Sequence, residues 1–147
     1  MRTLNRVQVR GFKSVREADV ELRNLNVLIG INGAGKSNLL GLFRFLNQLA
    51  EENLRNHTAL QGGADAVLHF GAKRTKDISA VLSFDEYRSG YSCTLSAAAG
   101  ATLAFTSESV WSQQNSRLIA ELGQGHTETK LAEAAHSSRD SEAKGDG

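Results

Sequence analysis

The stretch LIGINGAGKSNLL, Leu28–Leu40, decides how the rest of the chain is read. Gly30, Gly35, Lys36 and Ser37 fit G-x-x-x-x-G-K-[ST], the pattern of a loop that wraps phosphate groups. The pattern carries meaning only between a strand and a helix, so its flanks matter. Upstream, Asn26–Ile29 (NVLI) is a short apolar run ending at Gly30, which predicts a central strand buried on both faces. Downstream, Leu39, Leu42, Phe43, Leu46, Leu49 and Ala50 fall at helical spacing, with Arg44, Asn47, Gln48 and Glu51 opposite them. This helix is expected to fade near Asn53–His57. Its positive end would aim the backbone N–H groups of residues 32–37 at phosphate oxygens. Gly33 and Gly35 let the backbone come close without Cβ clashes. Lys36 is expected on the β- and γ-phosphates, and the Ser37 hydroxyl in the shell of a Mg²⁺ ion. The expected ligands are ATP or ADP with Mg²⁺. The candidate nucleotide-binding residues are Gly30, Ile31, Asn32, Gly33, Ala34, Gly35, Lys36, Ser37 and Asn38, with Ser37 also the metal ligand.

Working outward, Leu4–Phe12 alternates Val7 and Val9 with Arg6, Gln8 and Arg10, the period of a half-buried strand. Ala18–Leu22 repeats it, and the polar GFKSVRE between them predicts a hairpin connection. A short helix is expected over Ala64–His69, between Gly62-Gly63 and Gly71. From Ile78 the texture turns to strands. Ile78, Ala80, Leu82 and Phe84 alternate with polar neighbours, DEYRSG turns, and Tyr91, Cys93 and Leu95 resume the alternation. Leu103, Phe105 and, beyond a bulge, Val110 and Trp111 extend it; Arg117–Leu122, GQG and His126–Leu131 read as one more hairpin. That succession is an antiparallel meander rather than a series of βαβ units. The polar end HSSRDSEAKGDG is expected to be disordered.

Composition sets the outer bounds. A chain of 147 residues suits one domain with a real core. It has no proline and 14 glycines, and its formal net charge of +1 points to no strongly charged partner overall. The charge is nevertheless uneven. Residues 1–50 hold eight basic and three acidic side chains, and residues 51–147 hold nine and thirteen. A basic first third beside a phosphate loop suits a polyanionic ligand. The single cysteine, Cys93, forms no internal disulfide and reads as a small core hydrophobe. MRTLNRVQVRGFK lacks the apolar core of a signal peptide, and no apolar run reaches 18 residues, so a cytoplasmic chain without membrane spans is expected.

Two further motifs are tempting. VLSFDE at 81–86 looks like the strand that ends in a Mg²⁺-holding Asp and a catalytic Glu (Walker B), with Asp85 and Glu86 in those roles. Ser79, Ser83 and Asp85 share one polar face, however, which suits a surface hairpin better than a parallel core. His57, His69, His126 and His136 lack metal-ligand spacing. No catalytic residue is assigned.

Taken together, RGFKS at 10–14, the second short strand and NVLIGINGAGKSNLL at 26–40 resemble the RecF and structural-maintenance-of-chromosomes branch of ABC-type ATPases. The nearest likeness is to predicted bacterial AAA-family ATPases related to the overcoming-lysogenisation-defect type, and QGGADAVLHFGAKRT at 61–75 is similar to the linker they carry. The resemblance covers residues 2–131 and implies an α/β fold of α+β character: a β-rich ATP-binding lobe with a meander after the loop helix. It divides the chain into a lobe over 1–131 (hairpin, loop strand and helix to 57; linker 58–77; meander 78–131) and a flexible tail at 132–147. It further implies that Lys13 and Ser14 lie near the nucleotide, that a second ATPase lobe or a homodimer partner completes the site, and that DNA repair or phage defence, with DNA as a partner, is the setting. The family's signature motif, Walker B pair and switch histidine are not found, so hydrolysis is expected only of a more complete assembly. A non-catalytic nucleotide-sensing module and a small P-loop kinase are the alternatives.

Overall fold

The computed structural model describes residues 3–113 and 117–135, with the backbone alone at 117–119. Strand β1 (Leu4–Phe12) and β2 (Val15–Glu21) form a hairpin whose turn is only Lys13 and Ser14. The connection expected over GFKSVRE is therefore mostly strand. Three helices follow: α1 (Lys36–Ala50), α2 (Leu54–Leu60) and α3 (Ala64–Val67). Then β3 (Asp77–Phe84), β4 (Ser89–Ala98), β5 (Thr102–Ser112) and β6 (Arg117–Glu121) make the meander. All pairings are antiparallel, in the order β2-β1-β3-β4-β5-β6. The architecture is thus mixed α/β, built on one six-stranded antiparallel sheet.

The core follows from alternation. Val7, Val9, Ile78, Ala80, Tyr91, Cys93, Leu95, Leu103 and Phe105 come from the strands, and Leu42, Phe45, Leu46, Leu49, Leu54 and Val67 from the helices. Burial pushes the Cys93 thiol up to about 12, as suits an inert core residue. Phe12 joins the core out of phase because Gly11 takes φ +81. A Cβ there would lie 2.4 Å from the Asp77 carbonyl oxygen, so only glycine fits. The released Phe12 ring meets Phe45 at 5.1 Å between centroids. Phe45, which the helical count left off the apolar face, is therefore fully buried, and Ala50, which the count included, is exposed. Helix α2 appears where α1 was expected to fade, because Glu128 accepts the N–H groups of Leu54 and Arg55 at 2.8 and 2.9 Å and so caps it from 74 residues away.

Three expectations fail for identifiable reasons. Residues 26–29 pair with no strand, and Val27 and Ile29 are 72% and 91% exposed. The run has the apolarity of a central strand, but none of the six strands lies against it. His126–Leu131 is no hairpin arm; it is drawn across the sheet by Glu108. A bulge opposite Thr94 and Leu95, at Thr106, reverses the alternation of β5 and turns Glu108 inward, where it is 2% exposed. Its carboxylate accepts from Tyr91 Oη at 2.7 Å, His126 Nε2 at 2.7 Å, the Lys130 N–H at 3.1 Å, and Thr129 Oγ1. The His126 ring stacks on Phe105 with centroids 4.7 Å apart. Finally, residues 131–135 are helical although the tail was expected to begin at 132. The end expected to be disordered, with His136, lies outside the described residues.

Replacing Glu108 with Ala leaves four buried donors without an acceptor, and should cost about 3–5 kcal/mol in denaturant unfolding. A loss below about 1 kcal/mol would refute the clamp. Burial, reinforced by the charge of Lys13, lowers the pKa of His57. The folded state therefore binds this proton less readily than the unfolded chain, and stability falls as pH drops from about 6.5 towards the lowered value. His57→Gln should flatten that limb of the stability-pH curve between pH 7 and 5; an unchanged slope would exclude the histidine as its source.

Candidate functional site

The loop sits at the hairpin end of β1. Gly35 ends it at φ +89 as the residue before α1, and Gly33 stands at φ +86, conformations that side chains with a Cβ resist. No side chain caps the helix and no acidic residue occupies its first turn. Of the N–H groups of residues 32–38, only that of Ala34 finds a protein acceptor among the described residues, the Ile31 carbonyl at 3.2 Å. Six of these donors are thus without a protein partner at the positive end of a 15-residue helix, an arrangement suited to an anion. Lys36 curls over the loop and donates from Nζ to the carbonyls of Gly30 and, at 2.7 Å, Ile31. A phosphate oxygen at that ammonium is a stronger acceptor than either carbonyl.

Gly33, Ala34, Gly35 and Lys36 form one wall of a cleft of about 650 Å³. The opposite wall is the start of β2, Ser14 to Glu17, and Leu28, Ile29 and Leu39 line its apolar part. Asn38 Nδ2 donates to Ser14 Oγ at 2.5 Å, tying the first turn of the helix to the tip of the hairpin. The structure therefore brings Ser14 to the loop. Lys13 goes elsewhere: its ammonium meets Gln61 at 2.5 Å and lies 5.7 Å from the Phe12 ring centre. Arg16 and Glu17, which sequence reasoning passed over, line the cleft because β2 begins earlier than alternation indicated.

The cradle fits the phosphates of a nucleotide, whose charge would occupy the six free donors. For Mg²⁺ the fit is narrower. Ser37 offers one exposed hydroxyl, Glu17 is the carboxylate on the cleft wall, and among the described residues no three His, Cys, Asp or Glu side chains gather to hold an ion. A magnesium ion held there takes most of its shell from phosphate and water.

Asp85 and Glu86 lie at the far end of the sheet. They occupy the β3–β4 turn, where Asp85, Glu86 and Tyr87 all have positive φ. Asp85 Oδ1 accepts the Thr3 N–H at 3.0 Å, and the Glu86 N–H donates to Asn5 Oδ1 at 2.7 Å. Because β1 has nine residues, this turn stands about 25 Å from the hairpin tip beside the loop. The pair is a turn, out of reach of the cleft.

The chain belongs to the family described as the AAA ATPase domain, which matches residues 3–121. ATP binding is the property that this membership carries. Among curated proteins no match is found. Among the described residues no helix is long and apolar enough to cross a membrane.

Asp85→Ala should leave nucleotide affinity in calorimetry within about twofold of the parent, since the side chain lies about 25 Å away. A loss as large as that from Lys36→Ala would place the turn in the site after all.

Proposed function

We propose that residues 1–131 form the ATP-binding lobe of a RecF- and SMC-like ATPase related to the overcoming-lysogenisation-defect type, and that the lobe binds nucleotide but leaves hydrolysis to groups supplied from outside it. The carrying observation is the loop itself, with six unused N–H donors, Gly35 at the helix start and Lys36 above them. In this reading Gly30 to Asn38, with Ser14, hold the phosphates, and Ser37 is the protein ligand of Mg²⁺. When bound, the ion would neutralise charge on the transferring phosphoryl group. Lys13 braces the hairpin through Gln61 rather than touching nucleotide.

Hydrolysis needs an acid to hold the metal and a group to orient the attacking water. The cleft wall offers Glu17 alone among carboxylates. A cradle without those groups binds substrate and product alike, and uniform binding does not speed chemistry. The unpaired apolar segment at 25–31 supports an external source. Its lack of strand pairing and its exposed Leu25, Val27, Ile29 and Ile31 suit a strand awaiting parallel neighbours. A second lobe or a second copy fits that role. Service in DNA repair or phage defence rests on family resemblance alone. The all-antiparallel sheet disfavours a P-loop kinase, which needs parallel βαβ units.

Calorimetry should show Mg²⁺-ATP and Mg²⁺-ADP binding, weakened about ten- to hundred-fold by Lys36→Ala through loss of a charged contact. Phosphate release by the same sample should be far below about 1 s⁻¹. Equal affinity of parent and variant would overturn the site assignment, and turnover near that rate would overturn the division of labour.

A further inference from the structure

A second cleft, of about 590 Å³, shares Arg16 with the first. Its walls carry Arg10 and Arg16 from the hairpin, and His69, Phe70 and Arg74 from the segment between α3 and β3. Three arginines therefore line one cleft. Among the described residues the ion pairs are Arg6 with Asp19 and His126 with Glu108, so Arg10, Arg16 and Arg74 have no carboxylate within 4.0 Å. Asp77 is the only acid on the lining, and Lys73 and Lys76 add charge at exposed positions beside it.

Phe70 stands out from this basic ground. It is 74% exposed, yet it holds a left-handed backbone conformation at φ +55, a genuine outlier for so bulky a side chain. Glycine would take that conformation freely, and the next residue, Gly71, does so at φ +81. The segment is held firmly. The His69 N–H donates to the Gly11 carbonyl at 2.9 Å, His69 Nδ1 meets the Lys13 carbonyl, and Thr75 Oγ1 donates to the His69 carbonyl. The Ala72 N–H donates to Asp65 at 2.8 Å, and the Thr75 N–H to the Gly71 carbonyl at 3.0 Å. This framework presents the ring to solvent, with the His69 ring 4.4 Å away and the Arg74 guanidinium 6.0 Å from its centre. Strain that keeps an apolar ring in water gives the fold nothing, and strain of this kind gathers at ligand-binding positions.

Forked guanidinium groups recognise phosphate, and a free aromatic face stacks on an unpaired base. We propose that this second cleft binds a nucleotidyl unit, its base stacked on Phe70 and its phosphate held by Arg10, Arg16 and Arg74, separately from the nucleotide of the phosphate loop. The unit comes either as a free mononucleotide or as one residue of a single strand. Duplex ends and grooves do not offer the required base face. The proposal does not depend on the loop's reading.

The test uses the full chain carrying Lys36→Ala, which suppresses the loop as a competing site. The probes are fluorescein-labelled decathymidylate, a labelled duplex of equal length and a fluorescent adenosine monophosphate, read by anisotropy. Saturable binding of the single strand or of the mononucleotide is expected, and whichever binds identifies the source. Phe70→Ala and Arg74→Ala should each weaken it at least about fivefold, whereas Phe70→Tyr should retain it. Phe70→Gly should lose binding while its thermal midpoint stays at or above the parent's, since glycine relieves the φ of +55, and this separates lost contact from lost fold. Absence of saturation with both probes, equal affinity for the duplex, or variants that bind like the parent would overturn the proposal. So would a Phe70→Ala loss of ATP affinity in the protein with Lys36 intact, coupled with no probe binding once Lys36 is removed, because the cleft would then be part of the loop's own site.

Discussion

The Phe12 ring against Phe45, 5.1 Å between centroids, is the contact from which the site is positioned. It exists because Gly11 turns the strand at φ +81, where the Asp77 carbonyl leaves no room for a Cβ. With Phe12 inside, α1 is seated on the sheet, and its first turn meets the hairpin tip through Asn38 and Ser14. The phosphate loop, which has no strand pairing of its own, is located by these two contacts. The same residues serve the second cleft, since the Gly11 and Lys13 carbonyls anchor His69. A short turn therefore stands between the two anion-suited clefts, and Arg16 lines both.

At the other end of the sheet a buried carboxylate does the organising. Glu108 gathers Tyr91, His126, Thr129 and the Lys130 backbone, and so draws 126–130 over the sheet. Glu128, carried on that strap, caps α2 through Leu54 and Arg55. A carboxyl group this deep is tolerable because its oxygens are met by several donors. Removing it would release the strap and the cap together, which makes the helical layer depend on a residue far away in sequence.

In the segment at 25–31, local chemistry and environment disagree. Leu25, Val27, Ile29 and Ile31 are largely in water, and burying each would stabilise by about 1.5–3 kcal/mol. The ATP loop hangs directly from this stretch, so covering it would also hold Gly30 and Lys36 in register.

Some of this was legible from residue order alone. The phosphate loop, its helix, and the alternation of β1, β3 and β4 are local signals, set by side-chain period, glycine freedom and helix polarity, and they read directly from residues 4–12, 30–50 and 78–95. The loop's backbone geometry was equally local, because it needs only Gly33, Gly35 and the start of a helix. What the tertiary structure decided involves partners distant in sequence. The bulge at Thr106 turns Glu108 inward, Glu128 caps a helix 74 residues earlier, and Gly11 brings Phe45 into the core. Lys13 faces Gln61 instead of the loop, and Asp85 stands at the wrong end of β1. Each outcome depends on register and packing between separate elements, and a periodic pattern carries no information about which element will lie alongside.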